Sequence, residues 1–192
     1  MLKKGICGVL AALVAAAFWS CGRRPAYVSV DGVMLGTTLH VAADVRGVSP
    51  QEFYAAVMEL DREAKASMSI YDPASLLSRL NRNETDSVDS HIAFNLRLAD
   101  SIGSLSGGRY DVTVKPLVEA WGFAGKERVE RPNVDSILEF VGREKVRIEA
   151  GRLVKDDPRV QLDFNSVAKG YVVDLLAALV EKYGAENYIV DV

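Results

Sequence analysis

Leu162-Asp163-Phe164-Asn165-Ser166-Val167-Ala168-Lys169-Gly170-Tyr171 is the stretch that decides the fold, because it joins an extended segment to a helix. Its β-branched and apolar residues predict a strand over residues 160–163. The polar pair Asn165-Ser166 favours an N-cap, and helical periodicity follows as far as Gly184. Free backbone amides and the helix dipole at such a junction can bind an anion. Ordinary capping, with Asp163 as a turn residue, explains this segment equally well.

A second informative stretch is Ser106-Gly107-Gly108-Arg109-Tyr110-Asp111-Val112-Thr113-Val114-Lys115-Pro116-Leu117, which continues to Trp121-Gly122-Phe123. Its paired glycines let a backbone approach a ligand closely, or simply end a helix. The tryptophan and phenylalanine are typical either of a ring-binding surface or, more often, of a core aromatic cluster.

The remaining pattern predicts an α+β fold, a mixed sheet flanked by helices. Helices are expected over residues 50–66, behind a Ser49–Glu52 capping box, and from Ser90 to Gly107. The second of these should bury Phe94, Leu98, Ile102 and Leu105. Strands are expected in a hairpin that turns at Asp31-Gly32, over residues 145–149 and 153–155, and over residues 188–192, whose apolar character suits a central strand.

Composition narrows the class of function. The chain has 192 residues, a formal charge of −3, 49% hydrophobic residues and two cysteines, which suits one globular domain with a sizeable core. Removing Lys3 and Lys4 with the leader leaves 21 of the 23 basic residues against 26 acidic ones. No basic stripe is left to neutralise a phosphate backbone, so nucleic acid is not an expected partner.

Residues 1–20 have the pattern of a lipoprotein signal peptide: Lys3 and Lys4, an apolar run, and Ser20 before Cys21. An uncleaved N-terminal anchor is the alternative. In either case residues 21–192, the predicted functional domain, would be exported and held at a membrane, facing the periplasm or the cell exterior. With Cys7 removed, Cys21 would be left without an intrachain partner, as suits a lipid acceptor.

Four segments together resemble the FAD:protein FMN transferase (ApbE-type) family. They are Leu35-Gly36-Thr37-Thr38, the run from Ser69 to Asn81, the run from Gly107 to Phe123, and the run from Leu162 to Asp174. The resemblance covers roughly residues 31–192 and implies an ApbE-like fold. It also implies transfer of FMN from FAD to a threonine hydroxyl of an acceptor flavoprotein, with Mg²⁺ required and AMP released.

The resemblance implies the roles of particular residues. An FAD site would be lined by Leu35, Tyr71, Arg109, Tyr110, Asp111, Asp163 and Lys169, and Ser166 would give Mg²⁺ a backbone carbonyl. The family usually has methionine at position 35, often has two glycines at 165–166, and commonly has a small residue at 109. The family's later segment, with its magnesium-binding aspartates, has no counterpart here. We therefore expect a C-terminally incomplete domain that is inactive by itself, because Mg²⁺ needs near-octahedral oxygen coordination.

Three other functions remain compatible with these residues. A FAD pyrophosphatase would use the same site and metal with water as the acceptor. A flavin-binding lipoprotein without catalysis would bind FAD and release nothing. A general solute-binding lipoprotein would leave the segments around Tyr71, Asp111 and Asp163 without a common purpose.

Overall fold

The computed structural model describes residues 26–192. The predicted signal peptide, the alternative anchor and Cys21 all lie outside these residues. Within residues 26–192, no helix combines the length and apolar character that a bilayer crossing requires.

A three-stranded antiparallel sheet contains β1 (Val28–Met34), β2 (Thr37–Ala43) and β5 (Tyr188–Asp191), in the order β1-β2-β5. The β1–β2 turn is at Leu35-Gly36, so the predicted turn at Asp31-Gly32 is wrong. Leu35 and Gly36 have φ values of +49° and +78°, the pair of positive angles that a two-residue hairpin turn needs. This register lets β1 continue through Asp31-Gly32.

Within residues 26–192, β5 (Tyr188–Asp191) follows β2 at one side of the sheet, and its predicted central position stays a prediction. In this part of the chain β5 pairs with β2 alone. Ile189 is 63% exposed, because alternate side chains of this strand face away from the core.

A second antiparallel pair, β3 (Val146–Glu149) and β4 (Arg152–Lys155), is the predicted hairpin around Gly151. Helices flank the sheets, which confirms the α+β class, but both sheets are antiparallel in residues 26–192 and the predicted mixed sheet does not form there. The helices are α1 (Pro50–Met68), α2 (Leu76–Asn81), α3 (Ser90–Leu105), α4 (Lys115–Ala120), α5 (Val134–Leu138) and α6 (Ala168–Lys182), with a 3₁₀ turn at Arg143–Lys145.

The capping box at the start of α1 is confirmed. The Ser49 hydroxyl accepts a hydrogen bond from the Glu52 amide at 3.2 Å, and the Glu52 carboxylate accepts one from the Ser49 amide at 2.9 Å. The bond from the Ser49 amide, followed by one that the Ser49 hydroxyl donates to the same carboxylate at 2.7 Å, lowers the pKa of Glu52. Together they fix the start of α1, whose far end reaches the candidate site.

Helix α3 has the predicted extent and a different buried face. Phe94 is exposed and Leu105 is 90% exposed, so these two predicted core residues are wrong. The face that packs inward instead carries Ile92, Leu96 and Ala99. The two faces share the same helical spacing, and the sequence does not distinguish them when both are partly apolar.

The predicted strand over residues 160–163 is wrong, because only a single bridge, between Val114 and Gln161, forms there. The buried side chain of Asn81 replaces a neighbouring strand. Its Nδ2 donates to the Leu162 carbonyl at 2.8 Å, and its Oδ1 accepts from the Leu162 amide at 2.7 Å. Backbone groups that a strand would pair are thus satisfied by a side chain.

The predicted N-cap at Asn165-Ser166 is wrong as well. The cap residue is Val167, and it makes no side-chain capping bond. The Asn165 amide instead donates to Oδ1 of Asp163 at 2.8 Å, which forms a side-chain turn before the helix. The amides of Val167 and Ala168 both donate to the Phe164 carbonyl, which tightens the entry to α6.

Candidate functional site

Two neighbouring depressions form the candidate site. The first, called here the Tyr71 groove, has a volume of about 420 Å³. The second, called here the Lys115 cleft, has a volume of about 460 Å³. Tyr71 lines both and is 66% exposed. The groove is lined by Val33, Leu35, Gly36, Lys65, Met68, Ser69, Tyr71, Asp72, Asn165, Ala168 and Lys169.

The groove brings together three of the predicted ligand-binding residues. Leu35 comes from the β1–β2 turn, Tyr71 from the loop after α1, and Lys169 from the first turn of α6. They are far apart in sequence and share one concave surface. Apolar walls with a few polar groups are typical of sites that bind a ring-bearing ligand.

A short hydrogen-bonded loop keeps Tyr71 at the surface. The Ser69 hydroxyl accepts bonds from the amides of Tyr71 and Asp72, each at 3.1 Å. Asp72 in turn accepts from the Ala74 amide at 2.8 Å. Side-chain turns of this kind fix a loop without core packing, so the Tyr71 ring is held where a ligand ring can stack on it.

Asp163 is buried beside the site. Its amide donates to the Val112 carbonyl at 2.8 Å, which ties it to the Gly107–Phe123 segment. Burial raises the pKa of the Asp163 carboxyl, the Asn165 amide lowers it, and the Lys115 ammonium lowers it further. A buried carboxylate with open acceptor sites is well suited to bind a ligand hydroxyl.

Lys115 is a site residue that the sequence analysis did not single out. It is almost fully buried, and its Nζ donates to Gln161 at 2.9 Å and also to the Glu119 carboxylate. It lines the Lys115 cleft with both partners. The only sequence signal was its place in the Gly107–Phe123 segment, and Asn81 was likewise visible only as the end of a matched segment.

Arg109, Tyr110 and Asp111 have separate contacts. The Arg109 guanidinium is exposed and reaches the Ser106 carbonyl at 3.3 Å. The Tyr110 hydroxyl lies 2.7 Å from the Ser166 hydroxyl. Burial is the main cause of the raised pKa of Tyr110. Asp111 binds the protein itself: Oδ1 accepts from the Thr113 amide and hydroxyl, and Oδ2 accepts from the Arg143 amide at 2.8 Å.

The glycine pair before these residues ends α3. Gly107 and Gly108 have φ values of +63° and +80°, and the Gly108 amide donates to the Gly103 carbonyl at 2.8 Å. This is the C-cap alternative raised above. The core alternative for Trp121 and Phe123 is wrong, since these side chains are 43% and 67% exposed.

The described residues do not fit a complete magnesium site. In residues 26–192, no three His, Cys, Asp or Glu side chains come together in a way that could hold a metal ion. Within the same range the Ser166 carbonyl accepts no hydrogen bond, so it is free to offer one oxygen. Mg²⁺ requires near-octahedral oxygen coordination, and one carbonyl falls far short of it.

Residues 35–192 match the family model described as the ApbE family. The chain belongs to this family. It is 31% identical over 206 residues to a protein of Haemophilus influenzae named FAD:protein FMN transferase, a match that covers all of this chain and 60% of that protein. The chain thus spans less than two thirds of this ApbE relative.

Solved ApbE structures share the fold. The flavin transferase ApbE from Vibrio cholerae superposes with a TM-score of 0.80 at 30% identity, over 87% of this chain and 57% of that one. The apo flavinyl transferase ApbE of Pseudomonas stutzeri superposes with a TM-score of 0.80 at 26% identity, over 88% and 60% of the two chains. These matches agree with the ApbE-like fold expected from the four matched segments.

Proposed function

We propose that the complete protein transfers FMN from FAD to a threonine hydroxyl of an acceptor flavoprotein, with Mg²⁺ required and AMP released. The observation that carries the proposal is the Tyr71 groove, where Leu35, Tyr71 and Lys169 meet. Relatives named FAD:protein FMN transferase support the same activity.

The groove and its surroundings offer a partner for each part of FAD. A ring can pack against Leu35, Met68 and Tyr71. The Lys169 ammonium can bind a phosphate as a point charge. In the described structure the amides of Lys169 and Gly170 donate to no backbone carbonyl, so they are available to the same phosphate. Asp163 can accept a hydrogen bond from a ribityl or ribose hydroxyl.

The transfer itself is a substitution at phosphorus. The threonine oxygen forms a bond to the FMN phosphorus, the anhydride bond to the AMP half breaks, and AMP leaves with the bridging oxygen. The threonine hydroxyl proton is released. When bound, Mg²⁺ would supply charge neutralisation at the pyrophosphate. The protein's share is to position the reacting groups and stabilise charge, as is general for phosphoryl transfer.

We further propose that the protein acts outside the cytoplasm as a lipoprotein anchored through Cys21. The features of residues 1–21 support this part of the proposal. Its acceptor would then be an exported or membrane-bound flavoprotein subunit that presents a threonine to the open Tyr71 groove.

The test uses the complete gene product with FAD, Mg²⁺ and an acceptor flavoprotein subunit, and mass spectrometry of the acceptor. We expect an FMN adduct on threonine that EDTA abolishes. Free FMN and AMP without an adduct would indicate a pyrophosphatase instead. Bound FAD without turnover would indicate a binding protein.

Two variants link the reaction to the groove. Tyr71→Ala removes an exposed ring inside the groove and should lower transfer strongly. Tyr54→Ala removes an exposed tyrosine on α1 that does not line the groove, and should leave transfer unchanged. Equal transfer by both variants would place the reaction elsewhere.

A further inference from the structure

Lys65 lines the Tyr71 groove but belongs to none of the four matched segments. We infer that Lys65 is a positioning residue for the flavin ring of FAD, and that buried Asp61 holds its ammonium group in place. This inference rests on the proposed function, since it assigns one part of FAD to one wall of the groove.

The Asp61 carboxylate is the first part of the argument. Asp61 lies one helical turn before Lys65 on α1 and is only 5% exposed. Its Oδ2 accepts a hydrogen bond from Lys65 Nζ at 2.6 Å, whereas its Oδ1 is buried and has no hydrogen-bond partner in the described residues. A buried carboxylate is costly unless it is paired, so Asp61 restrains the Lys65 ammonium strongly.

The donors that Lys65 retains are the second part. A lysine ammonium has three N–H donors, and the Asp61 carboxylate takes one of them. The remaining donors lie on a wall next to Leu35, Met68 and Tyr71, where a ring would pack. The isoalloxazine ring carries two carbonyl oxygens that accept hydrogen bonds, whereas adenine has no carbonyl oxygen and flanks its ring-nitrogen acceptors N1 and N7 with an amino donor.

Charge separates the role of Lys65 from that of Lys169. The Lys65–Asp61 pair is neutral overall, so it is suited to an uncharged carbonyl. Lys169 makes no ion pair within the described part of the chain and is exposed, so its full charge is available to phosphate. The groove thus has one lysine for the ring and another for the pyrophosphate.

The experiment measures binding of FAD, FMN and ADP to the complete protein by titration calorimetry. Lys65→Met should weaken FAD and FMN binding roughly tenfold or more and leave ADP binding unchanged. The double variant Asp61→Asn with Lys65→Met removes both charges, so it leaves no unpaired carboxylate in the core. It should show the same selective loss, which excludes misfolding as the cause.

Two comparisons complete the test. Lys169→Met should weaken FAD, FMN and ADP alike, with a smaller loss at high salt. Lys182→Met, at an exposed position near the end of α6, should bind all three as the wild type does. The inference is overturned if the wild type binds FAD and both Lys65 variants bind it with the same affinity. It is also overturned if both variants lose as much affinity for ADP as for FAD. A wild type that binds no FAD overturns the proposed function as well.

Discussion

The hydroxyl of Tyr110 lies 2.7 Å from the hydroxyl of Ser166, across 56 residues of sequence. This hydrogen bond joins the turn after α3 to the turn before α6. The Asp163 amide bond to the Val112 carbonyl, at 2.8 Å, joins the same two segments a short distance away. The two segments singled out in the sequence therefore form one structural unit beside the Tyr71 groove.

The first prediction concerns this hydrogen bond. Tyr110→Phe and Ser166→Ala should each lower the free energy of unfolding, and the double variant should lose less than the sum. The coupling should be about 0.5–1.5 kcal/mol, the usual net value of such a bond. Urea unfolding of the four proteins measures it, with Tyr54→Phe as an exposed control. Strictly additive losses would show that the bond does not form in solution.

The second prediction concerns the pH dependence contributed by Asp163. Burial raises the pKa of this carboxyl above its ordinary value of 3.8 in the folded protein. Between 3.8 and the raised pKa the folded state binds more protons, so the contribution of Asp163 to stability falls as pH rises through this window. Asp163→Asn cannot titrate and keeps an oxygen for the Asn165 amide. Its stability relative to wild type should increase from pH 4 to pH 7, while FAD affinity falls.

Asp44 provides a control, because its contribution to stability should change with pH in the opposite direction. Hydrogen bonds from Asn187, first from its backbone and then from its side chain, lower the pKa of the Asp44 carboxyl. This carboxylate stabilises the fold above its unfolded pKa, and the contribution is lost as pH falls through the folded pKa. Asp44→Asn should therefore be destabilising at pH 7, and this effect should diminish only as pH falls below 3.8. The same pH trend in both variants would contradict the assignment for Asp163.

Local signals in the sequence predicted several elements correctly. The capping box placed α1, and helical periodicity placed α3 and α6 to within a few residues. These elements depend on contacts between residues close in sequence, which a single sequence contains. One error lies where a distant group replaces a local one, because Asn81 replaces a strand partner for Leu162. Another lies in the type of a local turn, because the Asp163 carboxylate accepts from the Asn165 amide where a capping side chain was expected.

The candidate site was predictable in part. The matched segments identified Leu35, Tyr71 and Lys169, which the structure places in one groove. Lys65 lies outside the matched segments, and Lys115 lies inside one of them, but both were missed because only the tertiary structure shows that they line the site. Lysines on helices mostly face solvent. The packing of α1 places Lys65 at the Tyr71 groove, and the packing of α4 places Lys115 at the Lys115 cleft.

The third prediction is that one substitution in the β1–β2 turn stabilises the fold and weakens FAD binding. Leu35 has a φ of +49°, a conformation that asparagine tolerates better than leucine does. Leu35→Asn should raise the free energy of unfolding by about 0.5–1 kcal/mol and weaken FAD binding, because the groove loses an apolar wall. Gly36→Ala, at a φ of +78°, should instead lower stability by about 1 kcal/mol. Thermal melts and FAD titrations of both variants measure the two effects. Unchanged FAD affinity in Leu35→Asn would remove Leu35 from the binding site.

The last prediction concerns Lys155, which lies away from the Tyr71 groove. Burial lowers the pKa of its ammonium group from 10.5 to about 8, although Nζ donates to the Leu80 carbonyl at 2.7 Å and to Asn83 Oδ1 at 2.9 Å. Between pH 8 and 10.5 the unfolded chain binds more protons at this position, so the contribution of Lys155 to stability rises with pH across that window. The stability of wild type relative to Lys155→Met should therefore increase from pH 7.5 to pH 10. Lys182→Met, at an exposed position, is the matched control for the general effect of replacing a lysine with methionine. A flat difference for Lys155→Met would mean that the two carbonyl acceptors compensate fully for the loss of hydration.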